Sequence, residues 1–272
     1  MHYKALFVSD IHLGTPQCQV SYLLDFFHDH LFDEVYLLGD IFDLLALRRN
    51  WYWKPEFNTF IQKVLRMARK GAKVIYIPGN HDIAVRKFLN SYDEFPYFLE
   101  VGNISLYSFY IYETHSYKIL LTHGDVYDGL FMSFPFFYHL GDLAYSAALR
   151  FNTAFNFVRK SLGFPYWSLS SYLKRKVKYT FQFLESVEQI ILSDLSQKNC
   201  VGIIHGHTHT PTLRFQTYQN KTYLFANTGD VVESLTCIVE TPTSLQLIYL
   251  PEQKILSEIH FSQLSQLKTS HF

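Results

Sequence analysis

The sequence predicts an α/β protein, on two observations. Runs of β-forming residues alternate with helix-length segments in the first third of the chain, which is βαβ grammar. Five short motifs of Asp, His and Asn also follow such runs: Ser9-Asp10-Ile11-His12, Gly39-Asp40-Ile41-Phe42-Asp43, Gly79-Asn80-His81-Asp82, Thr122-His123-Gly124-Asp125 and Gly206-His207-Thr208-His209. In open α/β sheets, ligands bind in the crevice outside the carboxyl ends of the strands. Five strand ends would then deliver O and N ligands to one rim.

Residues 3–9, with Ala5-Leu6-Phe7-Val8, read as the first strand, and residues 19–31 as a helix. Residues 34–39, with Val35-Tyr36-Leu37-Leu38, are the next strand. Residues 56–70 are a helix closed by Gly71 as C-cap. Val74-Ile75-Tyr76-Ile77 lies in a strand over 73–77. From residue 104 the grammar changes: 104–113, 117–122, 201–205, 222–227, 235–240 and 244–250 read as strands without intervening helices. They predict a second, partly antiparallel sheet packed on the first.

Residues 127–198 interrupt this pattern as a helical, aromatic insertion that includes Phe131, Phe136, Phe137, Tyr138, Phe164, Tyr166 and Trp167. It is also locally basic: Arg150, Arg159, Lys160, Lys174, Arg175, Lys176 and Lys178 stand against Asp142 alone between 130 and 180. Two readings stay open. One is a helical subdomain with its own core and a solvated basic face. The other is a cap over the metal rim, whose aromatics receive an apolar chain and whose basic face meets phosphates or an anionic membrane. In the tail, 251–272, the spacing of Ile255, Ile259, Leu264 and Leu267 predicts a short amphipathic helix.

At 272 residues the chain accommodates one large domain, or one domain with an insertion. Apolar residues make up 48% and charged residues 18%, enough for a sizeable core. A net charge of +0 argues against a general nucleic-acid binder. Cys18, Cys200 and Cys237 are odd in number and far apart, which suits neither a disulfide framework nor a zinc knuckle. A reducing, cytoplasmic location is expected. The start runs straight into a strand, without the pattern of a signal peptide, and no apolar stretch is long enough to span a bilayer.

The motifs suit a two-metal hydrolytic site. Asp10 and His12, two apart at a strand end, point the same way in extended chain and hold one ion. Asp40 is the bridging carboxylate. Asn80, His123 and His207 complete a second ion with Asp40, and His209 returns to the first. Mixed N and O donors without thiolate suit Mn²⁺, Fe or Zn²⁺ better than Mg²⁺ or Ca²⁺. His81 stands beside Asn80 as proton donor to a leaving oxygen, with Asp82 to orient it. Asp43 and Asp125 are candidate carboxylates behind the ligand histidines. His205 reads as structural. A non-catalytic binding module with a degenerate site is opposed by the complete set of seven ligands.

As they stand, the motifs resemble those of the calcineurin-like metallophosphoesterase superfamily. Further segments are similar to one branch of it, the bacterial UDP-2,3-diacylglucosamine diphosphatases of lipid A synthesis. These segments include Arg48-Arg49-Asn50-Trp51-Tyr52-Trp53, Tyr76-Ile77-Pro78-Gly79-Asn80-His81-Asp82, Gly163-Phe164-Pro165-Tyr166-Trp167-Ser168 and Asn227-Thr228-Gly229-Asp230-Val231-Val232-Glu233-Ser234. The resemblance covers residues 3–250 and implies a four-layer α/β/β/α sandwich over 1–250, with the insertion inside it and 251–272 as a tail. It implies Asp10, His12, Asp40 and His209 on one metal, Asp40, Asn80, His123 and His207 on the other, and Mn²⁺ as the usual activator. The implied reaction cleaves the pyrophosphate of UDP-2,3-diacylglucosamine to lipid X and UMP, with peripheral contact to the inner membrane. Arg48 and Arg49 would contact the second phosphate or the uridine side, or else belong to a solvated loop. One position departs from the branch: its better-studied members carry Arg where this chain has His81. The alternative activity is that of a phosphatase or phosphodiesterase on another soluble or protein phosphoester.

Overall fold

The structure, a computed structural model, describes residues 1–82, 84–86, 98–101, 103–130 and 187–264. Two compact units are distinguished: Met1–Asp125 with Leu192–Phe272, and Val126–Ile191. The five motifs all lie in the first unit.

In chain order the elements are β1 (His2–Val8), α1 (Val20–Asp29), β2 (Leu31–Leu38), α2 (Leu44–Arg49), α3 (Pro55–Arg69), β3 (Lys73–Ile77), β4 (Phe98–Val101) and β5 (Ile104–Tyr107). Then come β6 (Tyr110–Thr114), β7 (Tyr117–Leu121), a 3-10 turn (Asp125–Leu130), β8 (Gly202–His205), β9 (Thr212–Tyr218) and β10 (Lys221–Asn227). The chain closes with β11 (Thr236–Glu240), β12 (Ser244–Tyr249) and β13 (Lys254–His260). An eight-stranded sheet runs β13-β12-β11-β1-β2-β3-β5-β4, and a five-stranded sheet runs β6-β7-β8-β10-β9. Strands β1, β2, β3 and β5 are mutually parallel, as are β7, β8 and β10. This is the mixed α/β architecture that the sequence predicts, two sheets with helices against them.

The central strands are apolar without alternation because both of their faces are covered. Leu6, Val8, Val35, Leu37 and Val74 pack with Leu23, Phe26 and Phe27 of α1 and Phe57, Phe60 and Val64 of α3. The intervening residues Ala5, Phe7, Tyr36, Leu38, Ile75 and Ile77 meet Ile119, Leu121, Ile204, Leu224 and Ala226 of the second sheet. Phe7 stacks on Tyr36, centroids 4.9 Å apart, and meets Tyr112 of β6 edge-on at 5.3 Å. Glu240 is fully buried beside them. It accepts from Lys4 Nζ at 2.8 Å, and from the hydroxyls of Tyr112 and Thr114 at 2.6 Å each. A buried carboxylate is tolerated only with such partners.

Helix α3 ends as the sequence predicts. Ala72 N–H donates to Met67 O at 3.1 Å and Gly71 N–H to Ala68 O at 3.0 Å, a Schellman closure around Gly71 at φ 103.

Three expectations are corrected. Residues 104–113 are two strands: β5 pairs with β3 in the first sheet and β6 with β7 in the second, with the chain bending at Ser108 and Phe109. Residues 235–250 extend the first sheet beside β1 rather than the second. An apolar run reports burial but not its pairing partner, so both assignments failed for the same reason. The tail forms β13 on β12 and then a helical turn over 261–264. Ile255 and Ile259 are four apart, a spacing that a two-residue period satisfies as well as a helical one. Strands β4 and β9 and helix α2 were not foreseen. Leu267 and the aromatic and basic residues named for the insertion lie outside the described residues. Among the described residues, no helix is long and apolar enough to cross a membrane.

Candidate metal centre and active site

The motifs after β1, β2, β3, β7 and β8 lie at the carboxyl ends of parallel strands, and main-chain bonds tie the loops together. Asp10 N–H donates to Gly39 O and His12 N–H to Asp40 O, both at 3.0 Å, and Gly206 N–H donates to His123 O at 2.9 Å. Asp10 and His12 do not converge through strand alternation, as the sequence reading held, because β1 ends at Val8. Asp10, His12, Asp40, His207 and His209 all have left-handed backbone, with φ between 52 and 68. For non-glycine residues this conformation costs roughly 1–3 kcal/mol each and clusters at functional sites. Three motif glycines make room for ligands from other loops; a Cβ on Gly39 would collide with the His123 ring. A Cβ on Gly79 would collide with the Asp40 carboxylate, and one on Gly206 with Ser9 Oγ and the Asp10 carboxylate.

Three groups of side chains come within metal-holding distance: Asp10, His12 and His209; Asp10, Asp40 and His123; and His12, Asp43 and His81. Asp10 is fully buried, and its Oδ2 accepts from Ser9 Oγ and from His207 N–H. Its Oδ1 lies 3.2 Å from His209 Nε2 and 4.0 Å from His12 Nε2, yet has no hydrogen bond. His12 Nε2 is likewise buried without a hydrogen bond, while His12 Nδ1 meets Asp43 Oδ2 at 3.2 Å. Asp40 Oδ1 accepts His81 N–H at 2.7 Å, and Asp40 Oδ2 lies 3.3 Å from His123 Nε2.

His123 shows what these atoms require. Its Nδ1 lies 2.8 Å from Leu38 O, an acceptor only, so Nδ1 carries the proton. In the neutral ring, Nε2 then presents a lone pair to Asn80 Oδ1 at 3.2 Å and to Asp40 Oδ2 at 3.3 Å. With the ring neutral, three electron-rich atoms meet there, an arrangement satisfied either by a proton on Nε2 or by a cation held among them. The His207 ring lies edge-on to His123 at 5.1 Å, and the His12 ring stacks on His209 at 5.5 Å. The donors and the orphaned buried atoms therefore fit divalent cations.

The electrostatics agree. Burial opposes ionisation of Asp10, but the imidazoles of His209 and His123 and the Ser9 hydroxyl hold its carboxyl well below the usual range. Asp40 is lowered despite burial, chiefly by His123. Burial works against the charge on His123, yet Asp40 and Asp10 lift it to about 9. His209 rises against burial to about 10 beside Asp10 and Asp230. Without a metal, protons supply the positive charge.

His81 stands over His12, rings edge-on at 4.8 Å, and its Nδ1 faces Asp43 Oδ2 at 3.0 Å. Facing Asp43 raises its pKa against the effect of burial. Asp82 does not orient it, contrary to the sequence expectation. The Asp82 carboxylate accepts the N–H groups of Ile41, Phe42 and Gly79 at 3.2, 2.9 and 3.2 Å, fastening the second and third loops together. Asp125 likewise backs no histidine: it pairs with Arg86, whose Nη2 also donates to Pro78 O at 2.6 Å. Arg48 and Arg49 are exposed in the last turn of α2, the helix that Asp43 caps.

Sequence reasoning missed Ser9, Arg86, Asn227 and Asp230 as parts of the site. Asn227 Nδ2 donates to Gly206 O at 2.8 Å and to Thr208 Oγ1 at 2.9 Å, shaping the last motif. Its segment was noticed through resemblance, without a role. His205 is buried, places Nδ1 2.9 Å from Gly206 O and packs edge-on to Phe225 at 5.2 Å.

Comparison with known proteins adds the context. A UDP-2,3-diacylglucosamine hydrolase of Vibrio atlanticus (strain LGP32) is 24% identical over 257 residues, covering 90% of this chain and 96% of its own. One of Shewanella frigidimarina (strain NCIMB 400) is 21% identical, covering 80% and 86%. Among solved structures, Yfce, a phosphoesterase from E. coli, is similar over 94% of this chain and 98% of its own, at 16% identity and a TM-score of 0.47. The calcineurin-like phosphoesterase model matches residues 3–211, which include all five motifs. The chain therefore belongs to the calcineurin-like phosphoesterase family.

Proposed function

We propose that the chain hydrolyses the pyrophosphate bond of UDP-2,3-diacylglucosamine, releasing lipid X and UMP, with Mn²⁺ as its activating ion. The observation that supports phosphoester chemistry most is the meeting of unpaired, buried ligand atoms at one strand rim, Asp10 Oδ1 and His12 Nε2 above all. Support for the substrate comes from relatives named UDP-2,3-diacylglucosamine hydrolase, aligned over most of both chains.

In this reading Asp10, His12, Asp40 and His209 hold one ion, and Asp40, Asn80, His123 and His207 the other. Bound ions supply an activated water and charge stabilisation for in-line attack at phosphorus. His81, whose pKa the facing Asp43 raises, donates a proton to the leaving oxygen. Asp82 keeps the loops carrying Asp40 and His81 in register. Arg48 and Arg49 meet the second phosphate or the uridine. The aromatic, basic insertion over 127–198 takes the acyl chains, at the cytoplasmic face of the inner membrane and in peripheral contact with it.

One observation favours a second reading, a phosphatase or phosphodiesterase of another phosphoester: His81 stands where the better-studied lipid A enzymes carry Arg. A single assay separates the two. Purified protein with Mn²⁺ is given UDP-2,3-diacylglucosamine and, separately, bis-p-nitrophenyl phosphate, with products read by mass spectrometry. Release of UMP and lipid X, abolished in Asp40→Ala, is the expected result. Turnover of the generic ester alone rejects the lipid substrate.

A further inference from the structure

Asp230 sits in the turn between β10 and β11 and is 1% exposed. Its Oδ1 accepts the N–H groups of Val232 at 2.8 Å, Ser234 at 3.1 Å, and Glu233. Its Oδ2 faces His209 Nδ1 across 3.3 Å. The same turn braces the neighbouring ligand: Val231 N–H donates to Asp10 O at 3.1 Å, and Thr228 Oγ1 lies 2.7 Å from Ser9 Oγ, the hydroxyl that donates to the Asp10 carboxylate. The turn thus holds two of the residues assigned to the first ion.

His209 needs such a hold. Its side chain is 42% exposed, against 10% for His12 and 1% for His123. Its backbone is left-handed at φ 53, with no strand around it to fix the ring. His12 Nδ1 is held by Asp43 and His123 Nδ1 by Leu38 O, both on the β2 side of the cluster. For His209 that role falls to Asp230 alone among the described residues.

We infer that Asp230 is the positioning residue of the first metal site. Its carboxylate keeps the proton of neutral His209 on Nδ1, so that the Nε2 lone pair faces Asp10 Oδ1 and the ion. Such outer carboxylates tune affinity without touching the ion. This rests on the metal reading proposed above and assigns one of the two binding steps to this turn.

The substitution Asp230→Asn separates tethering from folding. The amide oxygen still accepts the main-chain N–H groups, so the turn persists. The amide N–H₂ then faces His209, making Nδ1 the acceptor and moving the proton to Nε2. Metal-free full-length protein would be titrated with Mn²⁺ at fixed pH and followed by calorimetry, with the thermal midpoint recorded alongside. Two binding steps are expected in the wild type. In Asp230→Asn one step weakens about 10- to 100-fold, the other is unchanged, and the metal-free midpoint is preserved. His209→Ala weakens the same step, and the double variant weakens it no further. An unchanged isotherm in Asp230→Asn, or equal weakening of both steps, overturns the inference while leaving the metal site standing. Absence of Mn²⁺ binding in the wild type overturns the metal reading and this role with it.

Discussion

Asp43 Oδ2 faces His81 Nδ1 across 3.0 Å, and the carboxylate raises the pKa of that ring against the effect of burial. A facing carboxylate raises the pKa of a histidine and so favours the protonated ring, the form that can release a proton to a leaving group. The same Asp43 oxygen meets His12 Nδ1 at 3.2 Å, so one carboxylate serves both a proposed ligand and the proposed acid.

Loss of this carboxylate should therefore move a pH profile. An acid is lost as pH rises through its pKa, so Asp43→Asn should shift the alkaline limb of the rate profile downward. His81→Ala should lower turnover about 10²- to 10⁴-fold with metal content near normal. Rate against pH, with metal analysis of each variant, checks both. Loss of bound metal in His81→Ala would make His81 a ligand.

Metal removal should expose a second dependence. His123 at about 9 and His209 at about 10 both lie above the unperturbed histidine value. Their contribution to stability is fully present below about pH 6.5 and is lost as pH rises through the folded values. Thermal midpoints of chelated protein should fall between pH 7 and 10. Added Mn²⁺ should reverse the trend, because metal binding needs deprotonated rings. Midpoints with chelator that rise over that range would contradict the assignment.

His205 should act in the opposite sense. Burial lowers its pKa to about 4. The unfolded ring takes up a proton near pH 6.5 and the folded one does not, so stability present above that pH is lost as pH falls toward 4. At roughly 1.4 kcal/mol per unit, the loss is on the order of 3 kcal/mol. His205→Gln should flatten this acid slope in denaturant titrations at pH 7, 5.5 and 4.

Phe7 tests the packing between the sheets. It is fully buried and contacts Tyr36 and Tyr112, one from each sheet. Phe7→Ala should cost about 3–5 kcal/mol through lost burial and the cavity left behind, measured by urea unfolding. A loss under 1 kcal/mol would mean that the sheets close over the gap.

The fold was legible wherever local patterning decides it. Strands β1 to β3, the α3 closure at Gly71 and the ligand-bearing loops all follow from short apolar runs and turn residues. The split of 104–113, the transfer of 235–250 to the first sheet and the strand at 254–260 depend on pairing between residues far apart in sequence. No local period encodes that choice. In the site, the donor residues were visible because five separate Asp, His and Asn motifs each follow a β-forming run. Their second partners were not: Asp82 serves amides instead of His81, Asp125 serves Arg86, and Asp230 reaches His209 from a turn about twenty residues away. Nor did alternation foretell the left-handed backbone that turns Asp10 and His12 inward.

The steric closeness at Gly79 and Gly206 carries a consequence for how this sequence can change. Neither glycine leaves space for its own loop's donors; each yields to a carboxylate from another, Asp40 or Asp10. Substituting Gly79 would displace Asp40, thirty-nine positions earlier, and substituting Gly206 would displace Asp10, at the far end of the chain. The loops are thus bound by epistasis: drift at either glycine is tolerated only with a matching shift in another loop. A library that randomises one loop at a time would return these glycines almost unaltered, and new chemistries at this rim would emerge only when loops are recombined in pairs.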